Sequence, residues 1–283
     1  TDRIIANHLS PFLAGIAKEI PLKKWYFIRY RDTDHHLRVR FHLEDAGNAP
    51  KLMTLLNNKF GKLIESRTVH GIQYDTYIRE VERYGGKSIE LCEAIFHQHS
   101  EFVLRIAPMF LKPEMGQGRW MLAMKGVDQL LDAFAISNPG KLDLVSAWRS
   151  AMLTEYAKPD ELKRKLDVRY REVKSNLTDY MERGGIYPPV HGDLRSSIAS
   201  FANGIKLAFG KDWSISGRNA TTNLLFSLSH MNLNRMFYSN QRENELVVYH
   251  LLAKYYLTVS KKNERFLDQK TPSVLPEPRV AAF

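Results

Sequence analysis

Apolar residues recur at three- and four-residue steps from the start of the chain, at Ile4, Ile5, Leu9, Phe12, Leu13 and Ile16. That spacing predicts an amphipathic helix over 2–20, closed by Pro21. The period then changes. "WYFIRY" (25–30) reads as a strand from its aromatic and β-branched content, and "HHLRVRFHLE" (35–44) alternates apolar and basic positions. "RDTD" between them is turn-like, so the two strands pair as a hairpin. A helix over 49–65 and an extended segment over 71–80 follow. From Lys87 onward the period is helical through "SIELCEAIFHQHSEFVLRI", "WMLAMKGVDQLLDAFA", "DLVSAWRSAMLTEY" and the charged "ELKRKLDVRYREVKSNLTDYMERGG". "IYPPVHGD" (186–193) is a loop by its double proline. Two further helices, "RSSIASFANGIKLAF" and "NLLFSLSHMNLNRMFYSN", precede a last one over 243–259 and a proline-rich tail. There is no internal repeat. The expected fold class is α+β, a small antiparallel sheet in the N-terminal half packed with a mainly helical C-terminal part.

The second strand carries the first chemical signal. Strand side chains alternate faces, so Leu37, Val39, Phe41 and Leu43 share one face while His36, Arg38, Arg40 and His42 share the other. Two arginines two residues apart make an anion cradle, since guanidinium binds carboxylates in bidentate fashion. A solvated sheet face would look the same. In "YIREVERYGG" (77–86) the Tyr-Gly-Gly marks a tight turn where glycine takes positive φ, with Arg79 and Arg83 beside Glu80 and Glu82. Pairing among these charges is expected to consume at least one arginine. In "HQHS" (97–100), His97 and His99 fall on opposite sides of a helix, so no zinc site is expected there. In "SLSHMNLNRMF" (227–237), Ser227, His230 and Asn234 form a polar stripe on an apolar helix, where His230 fits proton transfer near neutral pH or a hydrogen-bonded core position.

Composition narrows the field only in part. The 283 residues are 44% hydrophobic and 25% charged, ample for a sizeable core in one domain or two. A formal charge of +10 favours an anionic partner. No Gly-rich phosphate loop or nucleic-acid-binding signature is present. The single cysteine, Cys92, excludes an internal disulfide framework and suits a cytoplasmic location. No apolar run reaches the length of a membrane span, and no secretory signal pattern is present.

Four ordered blocks, "KWYFIRYRDTDHHLRVRFH", "YIREVERYGG", "IELCEAIFHQHS" and "SLSHMNLNRMF", resemble the C-terminal domain of lantibiotic dehydratases and its standalone thiopeptide-type bacteriocin relatives. The resemblance runs from about Trp25 to about Phe237. It implies a glutamate-elimination domain over 1–283, opening mid-helix as a fragment of a longer chain would. Such a domain expels glutamate from glutamylated serine or threonine of a precursor peptide, leaving dehydroalanine or dehydrobutyrine. The resemblance places the functional arginines at Arg38, Arg40 and Arg83 and the functional histidine at His230. Beside them, Tyr84 and Ser227 are expected to donate hydrogen bonds, and with Arg29 and Asn234 to bind the substrate. No cofactor or metal is implied. The expected partners are the glutamylated precursor peptide and a glutamylation domain or subunit, which would carry any tRNA contact, and a homodimer is an open option. His99 stands where the family often has an acidic residue. Two alternatives fit the same residues: a pyridine-forming cycloaddition enzyme of thiopeptide pathways, and a basic module that holds precursor peptide or tRNA without catalysis. The elimination reading requires Arg38, Arg40, Arg83 and His230 to converge on one enclosed spot sized for an amino-dicarboxylic acid.

Overall fold

The computed structural model describes residues 1–86, 88–115, 118–183, 200, 203–204 and 218–270. The opening amphipathic segment is helical as Asp2–Ile4, a wider π-helical stretch Ile5–Leu9, and Ser10–Ile16. Strands β1 (Leu22–Arg31) and β2 (His35–Leu43) form a two-stranded antiparallel sheet, with Tyr26 opposite Arg40, Ile28 opposite Arg38 and Tyr30 opposite His36. This register confirms the alternation read from the sequence. Trp25, Phe27 and Arg29 of β1 share the apolar face of β2, and Phe27 is fully buried there. Helix α1 (Ala49–Glu65) follows the hairpin. Residues 71–80, expected to be extended, form no helix and join no sheet.

The outer edge of β1 is closed by side chains rather than by a third strand. His97 Nδ1 lies 2.8 Å from the Trp25 carbonyl, and Phe27 N–H donates to Ser100 Oγ at 3.2 Å. Both come from α2 (Ile89–Ile106), which packs against the strand through Phe96 and its apolar neighbours. Arg235 Nε donates to the Phe27 carbonyl at 2.7 Å, while Asn234 accepts from Arg29 N–H at 2.9 Å and donates to the Arg29 carbonyl at 2.7 Å. Each backbone group along this edge would otherwise be a buried polar atom without a partner, at a cost of about 1–3 kcal/mol.

Helices α3 (Gly118–Ala133), α4 (Asn138–Leu153), α5 (Pro159–Arg183), α6 (Arg218–Met236) and α7 (Gln241–Lys270) build the rest of the described fold. The predicted loop 186–193, the helix over 195–209 and the tail beyond residue 270 lie outside the described residues, apart from the isolated helical positions 200 and 203–204. Asp128 of α3 ties three helices together. It accepts from Lys141 of α4 and from the Tyr256 hydroxyl of α7 at 2.6 and 2.7 Å.

His250 of α7 is fully buried, 3.1 Å from Asp167 of α5. Burial, opposed by Asp167 and aided by Arg149 and Lys254, pushes its imidazole from 6.5 down to about 4. The unfolded chain therefore binds the proton first, so this histidine's contribution is complete above pH 6.5 and is lost as the pH falls toward 4. The expected loss is about 3 kcal/mol. Urea midpoints between pH 7 and 4 should show that slope, and His250→Phe should flatten it.

Candidate functional site

The basic face of β2 lies beside segment 71–80. Arg40 sits 5.3 Å from the Tyr77 ring, and Arg38 stacks on Tyr30 of β1 at 3.7 Å while its Nε donates to His36 at 3.2 Å. Neither arginine has a carboxylate partner among the described residues. The nearby acids are already committed, since Glu93 takes Lys24 at 2.8 Å and Arg79 at 2.9 Å, and Glu90 also pairs with both. Arg79 is thus held by acids of α2, while the pairing within the segment itself is that of Arg83 with Glu80. A cleft of about 210 Å³ opens beside Arg40, bounded by Tyr26, Tyr77, His42 and the Lys24–Glu93–Arg79 cluster.

Arg83 lies on the short helical turn Val81–Tyr84, which Gly85 ends at φ +79°, a backbone angle that disfavours any residue with a Cβ. Its Nε reaches Ser227 Oγ at 3.5 Å, and Glu80 lies 3.5 Å from its Nη1. The Tyr84 ring is buried against Phe96, and burial pushes its phenol well above the ordinary value. That hydroxyl has no hydrogen-bond partner among the described residues. Ring contacts run without a break from Arg40 through Tyr77, Tyr26, Phe96 and Tyr84 to Arg83. One aromatic wall therefore connects the two arginine-bearing segments.

His230 stands three residues beyond Ser227 on α6, with its Nδ1 3.1 Å from Glu245 of α7. Glu245 is almost fully buried. Burial pushes its carboxyl up, but the hydrogen bond and charge of His230, together with Arg242 and Tyr249, outweigh this and hold it below the usual range. A carboxylate only accepts, so His230 Nδ1 carries the proton, and Nε2 is the nitrogen that exchanges one. Arg242 and the Tyr249 hydroxyl donate to the same carboxylate at 2.9 and 3.0 Å. Glu245 is a site residue that sequence reasoning missed. Its signal was a carboxylate in phase with Val248, Tyr249 and Leu252 on the buried face of α7.

Two of the expected substrate-binding residues are engaged in holding the fold instead. The Arg29 guanidinium is buried, paired with Asp2 at 2.7 Å and donating to the Arg235 carbonyl at 2.8 Å, so it faces the core with Trp25 and Phe27. Asn234 is engaged by the Arg29 backbone and by Gln241. Both hold β1 against α6. The expected enclosure is also absent among the described residues, since the side chains of Arg83 and His230 are 41% and 31% exposed and Arg38 and Arg40 are half-buried. Only Arg40 of this set lines the cleft.

Among the described residues no helix is long and apolar enough to cross a membrane, and no cluster of metal-ligating side chains occurs. The fold resembles two solved structures. The tRNA dependent lantibiotic dehydratase MibB from Microbispora sp. 107891 aligns with a TM-score of 0.69 at 20% identity, over 93% of this chain and 27% of that one. TsrL aligns with a TM-score of 0.60 at 13% identity, over 92% and 91% of the two chains. Subtilin biosynthesis protein SpaB of Bacillus subtilis is 27% identical over 256 residues, 87% of this chain and 23% of SpaB. Epidermin biosynthesis protein EpiB of Staphylococcus epidermidis is 23% identical over 253 residues, 87% of this chain and 24% of EpiB. This chain thus spans about a quarter of the length of these curated relatives. The family model described as lantibiotic biosynthesis dehydratase, C-terminal, matches residues 1–256, and the chain belongs to that family.

Proposed function

We propose that residues 1–283 act in the cytoplasm as a lyase, expelling glutamate from a glutamylated serine or threonine of a ribosomal precursor peptide to leave dehydroalanine or dehydrobutyrine. A separate glutamylation domain or subunit would supply the ester and hold any tRNA. The observation that carries this reading is the contact between Arg83 and Ser227, three residues from a histidine whose Nδ1 is held by a buried carboxylate.

The chemistry fits these groups. His230 Nε2 takes the Cα proton of the modified residue, the electrons form the Cα–Cβ double bond through an enolate, and the Cβ–O bond breaks. Glutamate leaves with the bonding pair as a carboxylate. The ester has one free carboxylate and an amine, whereas the product has two carboxylates. Arg38 and Arg40 hold the first, and Arg83 meets the charge that appears on the departing oxygen, which stabilises the transition state more than the ground state. Glu245 fixes the tautomer that leaves Nε2 free and stabilises the ring once it is protonated.

Incubating the protein with a synthetic glutamyl-serine peptide and following mass by spectrometry tests the proposal. Free glutamate and dehydroalanine are expected, and an unchanged ester would reject it in favour of a binding module. Binding that weakens steeply with salt would point the same way. In the same assay Glu245→Gln, which keeps an acceptor but removes the charge, should slow glutamate release at least ~10-fold. Near wild-type release by that variant would remove Glu245 from the mechanism.

A further inference from the structure

The two edges of the sheet are treated differently. On β1 the outward backbone groups belong to Trp25, Phe27 and Arg29, since those are the ones met by His97, Ser100, Arg235 and Asn234. Backbone direction alternates along an antiparallel pair, so Tyr26, Ile28 and Tyr30 point at β2, exchanging hydrogen bonds with Arg40, Arg38 and His36 across the observed register. It follows that Leu37, Val39 and Phe41 aim their N–H and carbonyl groups away from β1. These groups meet no hydrogen-bond partner among the described residues, and segment 71–80, which reaches Arg40 through the Tyr77 ring, forms no ladder with them. Among the described residues β2 thus presents an unpaired edge at Leu37, Val39 and Phe41, and its Arg38 and Arg40 lack a carboxylate.

We propose that the free edge of β2 binds the substrate peptide as an added third strand. Directly opposed residues of neighbouring strands share a face, with Cβ atoms about 4.5–5.5 Å apart. A peptide residue opposite Arg38 or Arg40 therefore projects its side chain onto the guanidinium face, while its two neighbours turn toward the Leu37, Val39 and Phe41 face. The occupant that fits is an extended segment with an anionic side chain, such as a glutamyl ester, flanked by apolar residues. The main chain supplies affinity without regard to sequence, and the arginine face selects the modified position. This docking mode rests on the elimination reading for the identity of the anionic group, but it makes separate demands on the backbone.

The test uses the whole protein and a fluorescein-labelled peptide in which 2,3-diaminopropionate replaces serine, so that glutamate hangs from a stable amide. Fluorescence anisotropy is measured for this peptide and for a series each carrying one backbone N-methyl group. Methyl groups at positions two apart should weaken binding at least ~10-fold while methyl groups at the intervening positions do not, because only alternate N–H groups face the edge. Val39→Pro removes one outward donor at a position where an edge strand tolerates proline, and it should weaken binding similarly with an unchanged circular dichroism spectrum. A flat methylation profile, or no binding by the parent peptide, overturns the proposal. Glutamate release from the ester by wild-type protein is scored separately. Release with a flat profile rejects the edge and keeps the lyase, whereas a period-two profile without release keeps the edge and rejects the lyase.

Discussion

His230→Ala is expected to lower glutamate release by roughly 10²–10⁴-fold, the usual contribution of a positioned general base. The glutamylated peptide should accumulate and bind almost as tightly as before, because the imidazole's contribution arises as the Cα proton moves. The structure gives the imidazole one task at each nitrogen. Nδ1 is held by Glu245, which is buried and further ordered by Arg242 and the Tyr249 hydroxyl, and Nε2 is left to exchange a proton. His230→Gln is the sharper comparison, since it preserves polarity while abolishing proton transfer. It should be as slow as the alanine variant. The companion change, Arg83→Ala, should also leave ester unconverted, by removing the cation that meets the departing carboxylate. Arg83→Lys should recover only part of the rate, because an ammonium cannot reproduce the planar fork.

The largest expected effect on stability is at Asp2. Asp2→Ala should destabilise the fold by about 3–5 kcal/mol, the cost of removing one partner from a buried pair. Arg29 is 2% exposed at its side chain and meets Asp2 at 2.7 Å, and Arg119 of α3 meets the other carboxylate oxygen at 2.6 Å. One carboxylate thus joins the opening helix, β1 and α3. Burial pushes the Arg29 guanidinium down to about 10 even with that carboxylate beside it, which shows how little else compensates its charge. Burial also pushes Asp2 up, but the two arginines outweigh this and hold it below its ordinary 3.8. Its contribution is therefore present above that value and is lost as the pH falls further. Urea denaturation followed by circular dichroism measures the effect. An unchanged midpoint for Asp2→Ala would show that solvent or another group compensates Arg29.

The hairpin and its basic face were legible because strand alternation is a local, period-two signal, and the register realises it residue for residue. The turn at Gly85 was legible for a similar reason, since a Tyr-Gly-Gly sequence allows a positive φ where the chain must reverse before α2. Arg29 shows how far this reasoning could have gone. It has the parity of Trp25 and Phe27, so its burial follows from the same alternation that turns Arg38 and Arg40 to the opposite face. The helix α6 was harder. Ser229, Asn232 and Arg235 are buried on it alongside Leu225, Leu228 and Leu233, so polar residues do not mark its solvent side. A stripe of Ser227, His230 and Asn234 therefore could not reveal which members face outward. The pairing of His230 with Glu245 depends on how α6 and α7 pack, which no periodicity within either helix encodes. The expected enclosure came from the chemistry rather than from any residue pattern, and the described residues leave Arg83 and His230 partly open to solvent.

Arg38, Arg40, Arg83 and His230 are proposed to serve one glutamyl group, and a structure of the protein with the diaminopropionate amide peptide bound tests that arrangement. The glutamyl carboxylate is expected within hydrogen-bond distance of Arg38 or Arg40, the amide carbonyl facing Arg83, and His230 Nε2 beside the Cα of the modified residue. A glutamyl group seated away from these four side chains, or a peptide whose modified residue lies out of reach of His230, would contradict it.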